Sequence, residues 1–132
     1  MKTKSKILII DDEPQILELM ALALEGSGYT VRTALDGAAG LAKIRQEPFD
    51  LVFLDISMPG LDGIAVLKKI RQIAPDIAVI MLTGYPTQEK VIASFKLKVS
   101  NFISKPIQIN TIVKVAEDAL EERKNSRLKR PE

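Results

Sequence analysis

The feature that most constrains this chain is the alternation of short apolar runs with longer segments of helical periodicity. This alternation is typical of successive strand-helix-strand units, and hence of a parallel sheet covered by helices on both faces. The first, third and fourth runs are almost entirely apolar, so their strands are predicted to be buried in the centre of the sheet. Arg32 interrupts the second run, which therefore suits an edge of the sheet. Strands are predicted at residues 6–10, 29–33, 51–54, 77–82 and 101–103, and helices at 14–25, 36–45, 63–74, 87–97 and 108–123.

Composition narrows the class of protein. A chain of 132 residues with 46% apolar and 27% charged residues has room for one folded domain. It contains no cysteine and no histidine, which excludes disulfide scaffolds, thiol nucleophiles and His-containing catalytic triads. The apolar run at residues 7–10 ends at two aspartates. We therefore expect neither export nor membrane insertion, and a cytoplasmic location.

The end of the chain differs from the rest. Residues 124–132 lose helical periodicity and are rich in lysine and arginine. We therefore expect one domain over residues 1–123, followed by a basic tail or linker stub at 124–132. The net charge of +2 is too small to favour nucleic acid as a partner of this chain.

Polar side chains stand at the carboxyl ends of four predicted strands. Asp11 and Asp12 follow the first strand, Asp55 the third, Thr83 the fourth and Lys105 the fifth. In a parallel sheet these ends lie along one edge, where ligand sites of open α/β folds form. Each residue alone has a structural explanation, such as a helix cap for Asp12. Their joint occurrence at strand ends instead predicts one shared site.

Three carboxylates in one crevice repel one another unless a cation is present. Because only oxygen ligands are available, Mg²⁺ is favoured over zinc or copper, with Mn²⁺ as an alternative. Thr83 offers a hydroxyl and Lys105 an ammonium to the oxygens of a phosphoryl group. The set supports attack of one carboxylate on phosphorus, which gives an acyl phosphate.

Four segments, ILIIDDEP, LVFLDISMPGLDG, VIMLTG and FISKP, resemble in order and spacing the signature segments of response-regulator receiver domains of two-component signalling, including the chemotaxis-regulator type. The resemblance covers about residues 5–123. It implies a flavodoxin-like, doubly wound (βα)5 fold in three layers, with a parallel five-stranded sheet in the order 2-1-3-4-5.

The resemblance also implies roles for the acidic residues. Asp55 would be the phosphoacceptor. Asp12 and Asp55 would bind Mg²⁺ directly with Asp11 assisting, and the main-chain carbonyl of Ser57 would complete the metal site. Ser57 and Tyr85 occupy positions that tune dephosphorylation in the family.

Further roles follow from the same resemblance. Thr83 and Lys105 would hold the phosphoryl oxygens, and Thr83 and Phe102 would form the switch, with Phe102 in place of the commoner tyrosine. The Lys105–Pro106 peptide bond is expected to be cis. Lys98 stands near a position where many relatives carry a glycine suited to a left-handed helix cap.

The function implied is a phosphorylation switch. A histidine kinase or histidine phosphotransfer protein would donate the phosphoryl group. The face built by the fourth and fifth helices and the last strand would then change its contacts with a downstream protein or a linked effector domain, and it is a candidate surface for a phosphorylation-dependent dimer. No catalysis is expected beyond the chain's own phosphoryl uptake and slow autodephosphorylation.

Two other functions remain as alternatives. A constitutive binding module would keep the fold without cycling phosphate, although a scaffold has no need of a costly cluster of carboxylates. A small α/β hydrolase or phosphatase is the other alternative, but the chain lacks a G-x-S-x-G elbow, a P-loop and a G-x-G-x-x-G turn.

Overall fold

The computed structural model of the chain describes residues 5–57, 62–84 and 87–129. Five strands alternate with five helices along these residues. In chain order they are β1 (Lys6–Ile10), α1 (Pro14–Gly26), β2 (Thr30–Ala34), α2 (Gly37–Gln46), β3 (Leu51–Asp55), α3 (Gly63–Ile73), β4 (Ala78–Thr83), α4 (Gln88–Lys96), β5 (Asn101–Ser104) and α5 (Ile109–Lys129).

The strands form one parallel sheet in the order β2-β1-β3-β4-β5. This order confirms the predicted doubly wound fold. Every residue of β3 and β4 is buried, and four of the five residues of β1 are buried, as expected of strands covered on both faces. Strand β2 lies at the edge, where the side chain of Arg32 reaches solvent.

Two apolar cores lie on opposite faces of the sheet, because successive side chains of a strand point to opposite sides. Leu8, Val52 and Val79 belong to the core beneath α2 and α3. Ile7 and Phe53, each one residue away along its strand, belong to the core beneath α1 and α5. Helix, sheet and helix therefore form the three predicted layers.

Several boundaries differ from the predicted ones. Strands β3, β4 and β5 each continue one residue beyond the predicted end, so that Asp55 and Thr83 are the last residues of their strands. Helix α5 continues six residues past Arg123, to Lys129. The predicted end of this helix at residue 123 is therefore wrong. Three of the six added residues are lysine or arginine and one is leucine, and these residues extend an existing helix at little cost. The division into a domain and a linker stub stays a prediction.

Helix α4 ends in a left-handed turn. Lys98 has a φ of 63°, the conformation that a glycine favours. The N–H of Val99 and that of Lys98 donate to the carbonyls of Ser94 and Phe95, which closes the end of the helix. The left-handed turn is therefore present although a lysine stands near the position where many relatives carry a glycine.

Among the described helices, none combines the length and the apolarity that crossing a lipid bilayer requires.

Candidate phosphoryl-transfer site

The predicted site residues meet at the carboxyl edge of the sheet. Asp11 directly follows β1, and its N–H donates to the carbonyl of Ala34 at the end of β2. The N–H of Lys105, just after β5, donates to the carbonyl of Thr83 at the end of β4. These backbone bonds between neighbouring strand ends bring together residues that are far apart in the chain.

Three carboxylates form the floor of the site. Asp11, Asp12 and Asp55 each offer one carboxylate oxygen, and these atoms all lie within 4.8 Å of one another. Asp11 is fully buried and Asp55 is 1% exposed, whereas Asp12 is partly exposed. Asp12 does not cap α1, because Glu13 is the N-cap residue. The structural explanation for Asp12 as a helix cap therefore does not hold.

Asp11 illustrates the electrostatic cost of the cluster. Its Oδ1 accepts a hydrogen bond from the N–H of Glu13 at 2.9 Å. Its Oδ2 lies 3.0 Å from Nζ of Lys105 in an ion pair, but it accepts no well-directed hydrogen bond from any residue that the structure describes. Burial raises the pKa of Asp11, with a smaller contribution from the charge of Asp55, while the Glu13 N–H and Lys105 oppose the shift.

Lys105 is the cation of the site. Its Nζ lies 3.0 Å from Oδ2 of Asp11, 2.9 Å from Oε1 of Glu13 and 3.0 Å from Oδ2 of Asp55. Burial alone would lower the pKa of Lys105, but its close contacts with the carboxylates of Glu13, Asp55 and Asp11 raise that pKa above the ordinary value. The lysine therefore stays charged and offsets part of the negative charge.

Glu13 is the site residue that the sequence analysis missed. It directly follows the two aspartates, and its side chain is the one partner of Lys105 that is largely exposed, at 56%. The available signal was its place on the loop after β1, which lies at the same carboxyl edge of the sheet as the end of β5.

Ser57 and Thr83 join the phosphoacceptor side of the site. The N–H of Ser57 donates to Oδ1 of Asp55 at 2.9 Å. The hydroxyls of Ser57 and Thr83 share a hydrogen bond of 3.1 Å, and Thr83 is fully buried. Both Asp55 oxygens are thus engaged, one by Ser57 and the other by Lys105.

Phe102 and the proline also lie where the sequence predicts them. Phe102 pairs with Met81 across β4 and β5 and packs, partly buried, against the core beneath α2 and α3. The Lys105–Pro106 peptide bond is cis, as predicted. Tyr85 lies outside the described residues. The switch role of Phe102 stays a prediction.

The donor set suits a hard cation. Asp11, Asp12 and Asp55 supply three carboxylates, two of which contact the Lys105 ammonium, and all the candidate ligand atoms are oxygens. The oxygen of Asp11 that lacks a well-directed hydrogen bond is a further reason for a cation here. The cluster can therefore hold a metal ion.

Comparison with known proteins identifies the family. The model of the response regulator receiver domain family matches residues 7–117. The chain belongs to this family. The match confirms the resemblance noted from the four segments, and it makes the chain a receiver domain of two-component response regulators.

Individual relatives agree with this receiver domain in sequence and fold. It is similar to the nitrogen assimilation regulatory protein NtrX of Azorhizobium caulinodans, with 41% identity over 117 residues, or 87% of this chain and 26% of that protein. It is also 34% identical to the transcriptional regulatory protein GlrR of Escherichia coli, across 88% of this chain and 26% of that protein. Its sequence thus spans about a quarter of the length of these two curated relatives.

Solved structures show the same architecture. A CheY-like receiver domain protein from Methanospirillum hungatei superimposes with a TM-score of 0.90 at 32% identity, covering 94% of this chain and 99% of that one. NtrX from Brucella abortus gives a TM-score of 0.88 at 37% identity, covering 95% of this chain and 28% of that one.

Proposed function

We propose that this receiver domain accepts one phosphoryl group on Asp55 and that the acyl phosphate changes the surface offered to partners. The observation that best supports this is the setting of Asp55. Its carboxylate is buried beside Asp11 and Asp12 and lies 3.0 Å from the Lys105 ammonium. An ionised carboxylate held between an acidic, cation-binding floor and a fixed positive charge is suited to attack phosphorus.

The proposed donor is a phosphohistidine on a histidine kinase or a histidine phosphotransfer protein. One oxygen of Asp55 forms a bond to phosphorus as the phosphorus–nitrogen bond of the donor breaks, and the electron pair of that bond stays on the imidazole nitrogen. The attacking group is a carboxylate oxygen, so the transfer requires no general base to remove a proton from it. Lys105 and the Thr83 hydroxyl bind oxygens of the transferred group.

Asp12 and Asp55, with Asp11 assisting, would hold a divalent cation together with the main-chain carbonyl of Ser57. Mg²⁺ is the proposed ion and Mn²⁺ the alternative, because the side chains of the cluster supply only oxygen. When bound, the ion neutralises charge on the oxygens of the transferred group. The excess of carboxylates over ammonium in the site supports this assignment.

The proposed switch begins at Thr83. In this structure its hydroxyl is hydrogen-bonded to that of Ser57, 3.1 Å away. We propose that phosphorylation draws the Thr83 hydroxyl towards the phosphoryl group and that Phe102 moves inward with it. The altered face comprises α4, β5 and α5, where Ile92 and Phe95 of α4 are already 47% and 50% exposed.

The output is proposed to be a downstream protein or a covalently linked effector domain. Relatives are named as transcriptional regulatory proteins, and the matched region is only about a quarter of their length, which supports a linked domain. A phosphorylation-dependent dimer through the α4-β5-α5 face and a cytoplasmic location are part of the same proposal. The chain would turn over no external substrate, acting only on its own phosphoryl uptake and slow autodephosphorylation.

The test is to incubate the protein with Mg²⁺ and acetyl phosphate and to measure its intact mass. We expect a gain of one phosphoryl group, which EDTA abolishes. Asp55→Asn should show no gain. Asp118→Asn, which removes an exposed aspartate on α5, should behave like the unmodified protein.

The same experiment separates the alternatives. Absence of any mass gain with acetyl phosphate and with histidine kinases would refute the proposal and favour a constitutive binding module. Steady turnover of an organic phosphoester would instead indicate an enzyme.

A further inference from the structure

The ammonium of Lys105 has three N–H donors, and three different carboxylates surround it. The distances to oxygens of Asp11, Glu13 and Asp55 are nearly equal, at 3.0, 2.9 and 3.0 Å. Two of these carboxylates belong to the cluster that can hold a metal ion, and Glu13 does not. The lysine thus bridges the buried floor of the site and a carboxylate at its mouth.

The main chain of Glu13 is held firmly at this position. Its N–H donates to Oδ1 of Asp11 at 2.9 Å, and its carbonyl accepts from the N–H groups of Ile16 and Leu17 in the first turn of α1. Its side chain is 56% exposed, whereas that of Lys105 is 15% exposed. Glu13 therefore contacts Lys105 from the solvent side, and it does so without occupying space on the floor of the site.

The partners of Lys105 must change during phosphoryl uptake. According to the proposed function, Asp11 and Asp55 turn towards a cation and Asp55 becomes an acyl phosphate, so both lose charge available to the lysine. Glu13 is outside the metal cluster, and its contact with Lys105 does not compete with either event. It is the carboxylate whose contact with Lys105 can persist throughout the transfer.

We propose that Glu13 is a positioning residue for phosphoryl transfer. Glu13 holds the Lys105 ammonium at the mouth of the site, while the other two N–H donors of Lys105 turn from Asp11 and Asp55 to phosphoryl oxygens. The inference rests on the proposed function. It assigns to Glu13 no contact with the phosphoryl group, so its whole effect is exerted through Lys105. A carboxylate at the mouth of the site could instead slow phosphoryl uptake, because its charge repels an anionic phosphodonor.

A double-mutant cycle distinguishes these two effects. The proteins are the unmodified chain, Glu13→Gln, Lys105→Met and the double variant, and the quantity measured is the rate constant for uptake from acetyl phosphate at saturating Mg²⁺, followed by intact mass. An ion pair with one exposed partner changes a rate by a factor of up to about 5. We expect Glu13→Gln to be about threefold slower when Lys105 is present and to differ by less than about 1.5-fold when it is absent.

Two further variants are matched controls. Glu18→Gln removes the same charge from an exposed position on α1, away from Lys105, and should leave the rate unchanged. Glu13→Asp keeps the charge but shortens the side chain, and it should also be slowed, because the ion pair with Lys105 requires both the charge and the reach of Glu13. The Mg²⁺ affinity of each protein, measured by calorimetry, confirms that the metal is saturating.

The inference is overturned if Glu13→Gln takes up the phosphoryl group as fast as the unmodified chain or faster, or if it is slowed equally with and without Lys105. Each of these results leaves the proposed function intact, since the unmodified chain is still phosphorylated. Failure of the unmodified chain itself to gain mass would instead refute the proposed function. Circular dichroism of each variant shows that a slower rate reflects a folded protein.

Discussion

Arg71, on α3, binds the segment that precedes β4 and the segment that precedes β5. Both segments lie at the edge of the sheet opposite the acidic site. Its Nε donates to the carbonyl of Leu97 at 2.7 Å, and its terminal nitrogens donate to Lys98 at 3.0 Å, Ile77 at 2.5 Å and Pro75 at 3.2 Å. Two of these acceptors belong to the left-handed end of α4. The guanidinium therefore connects α3 to the turn in which Lys98 is strained.

The prediction is that Arg71→Met, which keeps an apolar side chain of similar reach but removes the guanidinium, strongly destabilises the fold. The bonds to Leu97 and Ile77 are partly buried, and those to Pro75 and Lys98 are exposed. A hydrogen bond from a charged donor contributes about 1.5 to 3 kcal/mol. Counting only the two partly buried bonds, and subtracting the cost of desolvating the guanidinium, we expect the free energy of unfolding to fall by about 3 kcal/mol.

Urea and thermal unfolding measure this loss. For a chain of 132 residues the predicted loss lowers Tm by roughly 12 °C. Lys68→Met and Lys69→Met are matched controls, because both lysines are exposed on the same helix. They should change the free energy of unfolding by less than about 0.5 kcal/mol. If Arg71→Met is as stable as these controls, the four bonds do not stabilise the fold and the reasoning is wrong.

Two further predictions concern strain and charge. Lys98→Gly should raise the free energy of unfolding by about 0.5 to 1 kcal/mol, because relief of the left-handed strain exceeds the added entropy of the unfolded chain. In the same urea titration, the control Lys69→Gly within α3 should lower the free energy of unfolding by about 1 kcal/mol. Asp11→Asn should be more stable than the unmodified protein at pH 7 in EDTA, because burial raises the pKa of Asp11 and its ionised form therefore opposes folding. That penalty is absent below the pKa of Asp11 in the unfolded state and grows as pH rises towards the raised pKa in the folded state. The difference in stability between Asp11→Asn and the unmodified protein should therefore vanish near roughly pH 4. A difference that does not depend on pH would contradict this explanation.

The central strands and the site residues at their ends were predictable because the relevant signals are local. Continuous apolar runs predicted that β1, β3 and β4 are buried on both faces, and the structure confirms this. Once a parallel sheet was inferred, the residues following those runs had to share an edge. The end of α5 was not predictable in this way, since the mostly polar residues 124–129 show no apolar stripe of helical period.

The sequence by itself determined the layers of the fold, the order of its elements along the chain and the gathering of Asp11, Asp55 and Lys105 at one edge. Only the tertiary structure decided the contacts between side chains. Glu13 and Lys105 are 92 residues apart, yet their charged groups lie 2.9 Å apart. Arg71 reaches carbonyls up to 27 residues away. Such contacts depend on how neighbouring strands and loops pack in three dimensions, and periodicity along the chain contains no information about those distances.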